Sequence, residues 1–151
     1  MLLDSRIVPE TIAKPRTFVG LMALYESNYV RLLHLLPDLA TIDGCHRSRV
    51  AGDCDLHVDV LDRGPYTVTL SLTYYFETEE GRVADPDMRV RAYLDGQLAE
   101  SMRVSGHHQH AELRRLFSAH SQELDARWRR NMVLNKWLEY LSDQGHLILD
   151  R

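Results

Sequence analysis

The chain has 151 residues, a formal net charge of −4, 44% hydrophobic and 26% charged residues. That length suffices for one domain with a real core, and the net negative charge gives no general attraction to nucleic acid or to an acidic membrane surface. No apolar run approaches the roughly 18 residues of a spanning helix, and the start, MLLDSRIVPE, lacks a basic region followed by an apolar core. The cysteines Cys45 and Cys54 make no disulfide framework, so a reducing cytoplasm is the expected location.

Residues 1–16, with Pro9 and Pro15, read as an N-terminal arm, and 17–151 as a single domain. Thr17 is placed to cap a helix from Phe18. Phe18, Leu21, Met22, Tyr25, Tyr29, Leu32 and Leu36 follow three- and four-residue steps and form one apolar face, with Glu26, Arg31 and His34 towards the other. Pro37 stops this helix. Asn28 flanks the stripe, where its amide either bonds a neighbouring backbone or meets water. Residues 38–52 read as loop or edge strand.

Three kinds of strand signal follow. Over 55–62, Leu56, Val58 and Val60 alternate with Asp55, His57 and Asp59. Over 66–77, Val68, Leu70, Leu72, Tyr74 and Phe76 alternate with Thr67, Thr69, Ser71, Thr73 and Tyr75, the pattern of a half-buried central strand. A turn at Arg63-Gly64-Pro65-Tyr66 joins them. The acid-rich stretch 77–87 predicts a solvated loop. Strands over 88–94 and 98–104 flank Asp95-Gly96, which predicts a two-residue type I′ hairpin turn. That register sets Tyr93 opposite Leu98, Arg91 opposite Glu100 and Arg89 opposite Met102, and pairs opposite charges across the strands. Arg91, Tyr93 and Glu100 then share a polar sheet face, either a small ligand or partner site or an exposed ion pair.

After a break at 106–110 the sequence predicts a short helix over 111–117. A longer helix follows, capped by Ser118 or Ser121 and ended by Gly145. Leu124, Trp128, Asn131, Leu134, Leu138 and Leu141 form its principal stripe, while Met132, Val133, Trp137 and Tyr140 widen the apolar arc. So wide an arc needs a second neighbour, either the first helix or a second copy of the chain. Asn131 interrupts the stripe. A buried amide needs partners, so hydrogen bonds to another element, near Asn28, are expected. Leu147-Ile148-Leu149 is a candidate edge strand. The whole reads as α+β: an N-terminal helix, an antiparallel sheet of four or more strands, and C-terminal helices packed on one sheet face.

Three segments together resemble one family: Asn28-Tyr29-Val30-Arg31-Leu32-Leu33-His34-Leu35-Leu36-Pro37; Pro86-Asp87-Met88-Arg89-Val90-Arg91-Ala92-Tyr93-Leu94-Asp95 through Ala99-Glu100; and Asn131 with Trp137-Leu138-Glu139-Tyr140-Leu141 and Gly145. Their order and spacing are similar to the YqiB-like proteins of proteobacteria, a domain of unknown function, over residues 17–146. The resemblance implies no activity. Where that family carries a Gln-Arg-Asp-Glu-Lys-like run, this chain has Glu123-Leu124-Asp125-Ala126-Arg127. Asp125 and Arg127 match, and two polar positions have become Leu and Ala.

Chemistry-bearing motifs are sparse. There is no nucleophile elbow, phosphate-cradling glycine loop or zinc-protease helix. His107, His108 and His110 have no carboxylate or cysteine at a zinc spacing, and Cys45-His46 with Cys54 and His57 is equally loose, so no metal and no cofactor are expected. Arg114, Arg115, Arg127, Arg129 and Arg130 with Trp128 resemble a nucleic-acid patch, but Trp128 lies on the apolar stripe and the arginines surround the helix. The sequence therefore supports a non-enzymatic cytoplasmic binding or adaptor module, acting on a protein partner or a second copy. The alternative is a small-molecule or nucleotide site on the polar sheet face; nucleic-acid binding through the arginines ranks last, and no membrane association is expected.

Overall fold

The protein is described from a computed structural model covering residues 17–105 and 126–150. The expected arm, His107, His108, His110, the helix over 111–117 and the caps at Ser118 and Ser121 lie outside the described residues. The elements in order are α1 (Phe18–Leu35), β1 (Cys45–Ser48), β2 (Leu56–Arg63), β3 (Thr67–Thr78), β4 (Gly81–Tyr93), β5 (Leu98–Ser105) and α2 (Ala126–Asp143). The strands form one five-stranded antiparallel sheet in the order β1-β2-β3-β4-β5, and the fold is α+β.

The alternation in β3 does what its side chains demand. Val68, Leu70, Leu72 and Tyr74 are fully buried, and they join Leu56 and Val58 of β2 with Met88, Val90 and Ala92 of β4 in one core. Both helices close this face. α1 contributes Tyr29, Leu32 and Leu35, and α2 contributes Val133, Leu134, Trp137, Leu138 and Leu141. Tyr74 meets Trp137 edge-on, with ring centroids 5.1 Å apart. Trp137 is thus central to the core, and the wide apolar arc of α2 is shared between the sheet and α1. The second neighbour is the first helix.

Several expectations need correction. The acidic stretch is not a loop: β3 and β4 run on to Thr78 and Gly81, leaving only Glu79-Glu80 as the connection, and Asp85 is buried. Long paired strands tolerate acids on an outward face, so local charge misreads them as solvated loop. The β4–β5 turn is not type I′. Its four residues are Leu94 to Gln97, Gln97 carries the positive φ of 58°, and the Gln97 N–H bonds the Tyr93 carbonyl at 2.8 Å. A four-residue loop and a two-residue loop centred on the same point give the same pairing, so Tyr93 still faces Leu98 and Arg91 faces Glu100. A bulge then shifts the ladder, and Arg89 pairs with Arg103 instead of Met102. Arg31 does not face outward: it is buried between the helices, 3.5 Å from Glu139.

The C-terminal tail adds no edge strand. Gly145, at φ 96°, follows α2 in a Schellman arrangement, with the His146 N–H on the Leu141 carbonyl at 3.0 Å and the Gly145 N–H on that of Ser142 at 3.0 Å. The chain then crosses to the other helix, where the Ile148 N–H bonds the Leu35 carbonyl at 3.0 Å. The turn after α1 buries Leu36, Leu39 and Ile42, and the Arg63 guanidinium gathers the carbonyls of Leu39, Ala40 and Ile42.

Leu70 sits at the centre of this layer with no solvent exposure. Leu70→Ala should lower unfolding free energy by about 2–5 kcal/mol through lost burial and a residual cavity. Urea denaturation measures it, and an unchanged midpoint would contradict the packing.

Candidate functional site

Polar side chains gather at three places. The first is the edge of β5. Alternate residues of a strand point their backbone groups to opposite sides, so with Glu100 paired to Arg91, the Ala99 carbonyl and Ser101 N–H face away from β4. Two helix amides meet them. Asn28 Nδ2 donates to the Ala99 carbonyl at 3.3 Å and to Asn131 Oδ1 at 3.3 Å, and Asn131 Oδ1 accepts the Ser101 N–H at 2.7 Å. Asn131 Nδ2 returns to the Arg127 carbonyl at 3.0 Å. Both amides are fully buried. Farther along, Asn135 Nδ2 donates to Ser27 Oγ at 2.7 Å and Arg31 reaches Glu139. Contacts that advance together along both helices make α1 and α2 a parallel pair, with their first turns at the same end.

The second place joins the sheet-face residues to that helix end. The Tyr93 hydroxyl donates to Glu100 Oε2 at 2.5 Å, and Arg91 Nε donates to Thr69 Oγ1 at 3.2 Å. All three of Arg91, Tyr93 and Glu100 are half-buried. Burial, and then the bond to Glu100, push the Tyr93 hydroxyl up from its ordinary pKa. Glu100 also faces Tyr25 of α1. The Tyr25 side chain is only 6% exposed, and its pKa is raised by burial first and Glu100 second, against the opposing pull of Arg127 and Arg130. Those two arginines line a groove of about 520 Å³ between the first turn of α1 and the start of α2, with Phe18, Leu21 and Trp128 as its apolar lining. Trp128 is itself nearly buried, so its ring is not an open stacking platform. Sequence reading separates these residues into two helix faces and a sheet face; only the parallel pairing of α1 with α2 brings them together.

The third place is a buried relay at the other end of α2, which sequence reading missed altogether. The Schellman turn at Gly145 sets His146 against β1 and β3. Leu147 N–H donates to Ser48 Oγ at 3.3 Å, Ser48 Oγ lies 2.9 Å from His146 Nδ1, and His146 Nε2 lies 2.9 Å from the Tyr74 hydroxyl. Tyr74 and Tyr140 both donate to Asp53 Oδ2, at 3.2 and 2.8 Å. A carboxylate only accepts, so the protons run one way: Ser48 donates to Nδ1, and a neutral imidazole donates from Nε2 to Tyr74. Burial holds His146 below its ordinary pKa of 6.5, against the opposing carboxylates of Asp53 and Asp55, and burial pushes the Tyr74 hydroxyl far up. Ser48 and His146 are both buried beneath the tail, which leaves the hydroxyl no approach for a substrate. Among the described residues no group of three or more His, Cys, Asp or Glu is arranged to hold a metal ion, and no helix is long and apolar enough to cross a membrane.

Two outcomes follow from this geometry. Asn131→Ala strips the buried Ser101 N–H of its acceptor and should cost about 1–3 kcal/mol, with faster exchange of that amide; an exchange rate equal to the native protein's would contradict the cap. His146 titrates at lower pH folded than unfolded, so its contribution is complete above pH 6.5 and is lost as pH falls from 6.5 towards the folded value. Between pH 7.5 and 5 the native protein should lose more thermal stability than His146→Gln, whose side chain does not titrate. Equal slopes would show that His146 is not held neutral.

Compared with known proteins, the chain matches one family model over residues 31–147, described as a protein of unknown function, DUF1249. No curated protein and no solved structure matched. With the match extending from the last turns of α1 past the end of α2, the chain belongs to the DUF1249 family.

Proposed function

We propose that the protein is a non-enzymatic binding module whose ligand, a small molecule, seats in the groove at the head of α1 and α2. The groove itself carries this reading: about 520 Å³, with apolar side chains from two elements and a few convergent polar groups, is the size and character of small-molecule sites. The covered serine and histidine of the relay favour binding over catalysis at that end. An adaptor function, on a protein partner or a second copy, would draw on the wide apolar arc of α2, but α1 occupies that surface. The alternative site on the sheet face has its groups already bonded, Tyr93 to Glu100 and Arg91 to Thr69, and offers less to a ligand. We assign Asn28 and Asn131 structural roles, a cytoplasmic location in keeping with the free thiols of Cys45 and Cys54, and a position among the YqiB-like members of the family on the three quoted motifs.

A fragment screen followed by amide chemical shifts tests the reading. Hits should perturb Leu21 and Trp128, and Leu21→Trp, which fills the groove, should abolish them without lowering Tm. Hits that map to Arg91 and Tyr93 and survive Leu21→Trp would move the site to the sheet face.

A further inference from the structure

We infer that the ligand of this groove carries an oxyanion, held by Arg127, Arg130 and the hydroxyl of Tyr25, with its apolar body against Phe18, Leu21 and Trp128; this rests on the groove being the binding site. Three independent features converge there. Two guanidiniums line the groove beside the apolar Phe18, Leu21 and Trp128, and among the described residues Glu100 is the carboxylate that acts on the adjoining Tyr25. Glu100 is already engaged as the acceptor of the Tyr93 hydroxyl at 2.5 Å, and the two arginines outnumber it among the described residues there. Arg130 Nε is buried with no hydrogen-bond partner, and the hydroxyl of Tyr25, a side chain more than nine-tenths buried, has Arg127 as its polar neighbour and no acceptor for its own proton. Buried donors without acceptors are uncommon in folded proteins, and an oxyanion would satisfy both at once. The α1 N-terminus opens on the same groove through Thr17 and Phe18, and its macrodipole has the same sign. The class that fits is an amphipathic oxyanion, a phosphate monoester or a carboxylate on an apolar or aromatic body.

Phenyl phosphate, benzoate and neutral benzyl alcohol, each titrated into the full chain and followed at the Trp128 indole and the Arg127 and Arg130 side chains by NMR, form the test. Phenyl phosphate or benzoate should bind about tenfold tighter than benzyl alcohol, and that margin should shrink as salt is raised. Arg127→Gln, an exposed position, and Arg130→Gln should each reduce the margin and leave benzyl alcohol binding unchanged. Tyr25→Phe should weaken the anions alone, by a fewfold. A preference for the phosphate or for the carboxylate identifies the source of the oxyanion, and either one supports the inference. Equal binding of all three probes at this groove would overturn the oxyanion and leave the groove as a binding site. No shift at Trp128 with any probe, or binding that persists in Leu21→Trp, would overturn both. Should Arg130→Gln unfold, the salt dependence and Arg127→Gln still decide.

Discussion

The fold depends on how the β5 edge is closed. A sheet edge offers a row of unpaired backbone groups, and here the last strand lies against two helices that have no strand ladder to give it. Asn28 and Asn131 supply what a neighbouring strand would supply, a donor to the Ala99 carbonyl and an acceptor for the Ser101 N–H, and they bond each other in doing so. The consequence reaches beyond the edge. Because one amide comes from each helix, the edge bonds also fix the register of α1 against α2. The same register puts Asn135 on Ser27 and Arg31 by Glu139, and brings the first turn of α1 beside Arg127 and Arg130. The groove is a by-product of the edge cap.

The opposite end is fixed by different means. A left-handed glycine ends α2, turns the chain back and delivers His146 into a cluster drawn from β1, β3, α2 and the 49–55 connection. That cluster saturates its own hydrogen bonds in one direction, and the tail beyond it closes the end of α1 through Ile148. Neutral imidazole is the form this environment favours, because burial penalises the charged ring.

Periodicity made the layers legible: hydroxyls alternate with apolar residues in β3, and three- and four-residue steps mark α1. The polar break at Asn131 was equally visible, since an amide on a leucine stripe demands partners. The Arg91–Glu100 pairing was legible through charge complementarity although the turn type was not, because Gln97 and not Gly96 takes the left-handed conformation. Composition misled where charge stood in for exposure. Glu77, Asp85 and Asp87 lie on paired strands, only Glu79 and Glu80 are in the turn, and Arg31 is buried because α2 lies over it. The relay had no local signal at all, its histidine and serine being 98 residues apart, and neither residue type at that distance carries any period.

The two buried polar regions differ in a way that bears on what each can do. Around His146 the donors of Ser48, His146, Tyr74 and Tyr140 each have an acceptor, so a ligand entering there would have to break bonds before making any. Around the helix heads, the Tyr25 hydroxyl and Arg130 Nε are buried without acceptors, and Asn28 Oδ1 and Ser101 Oγ without partners. Each such group costs on the order of 1–3 kcal/mol relative to a satisfied one, a burden the rest of the core must offset. A protein under no other constraint would shed it, since replacing an unsatisfied polar group by an apolar one of similar shape is close to neutral or stabilising. Tyr25→Phe is such a replacement: it keeps the ring and removes only the hydroxyl. If that variant is more stable than the native protein, the hydroxyl is being kept for something other than folding, and the arginines beside it indicate the sign of the charge it awaits.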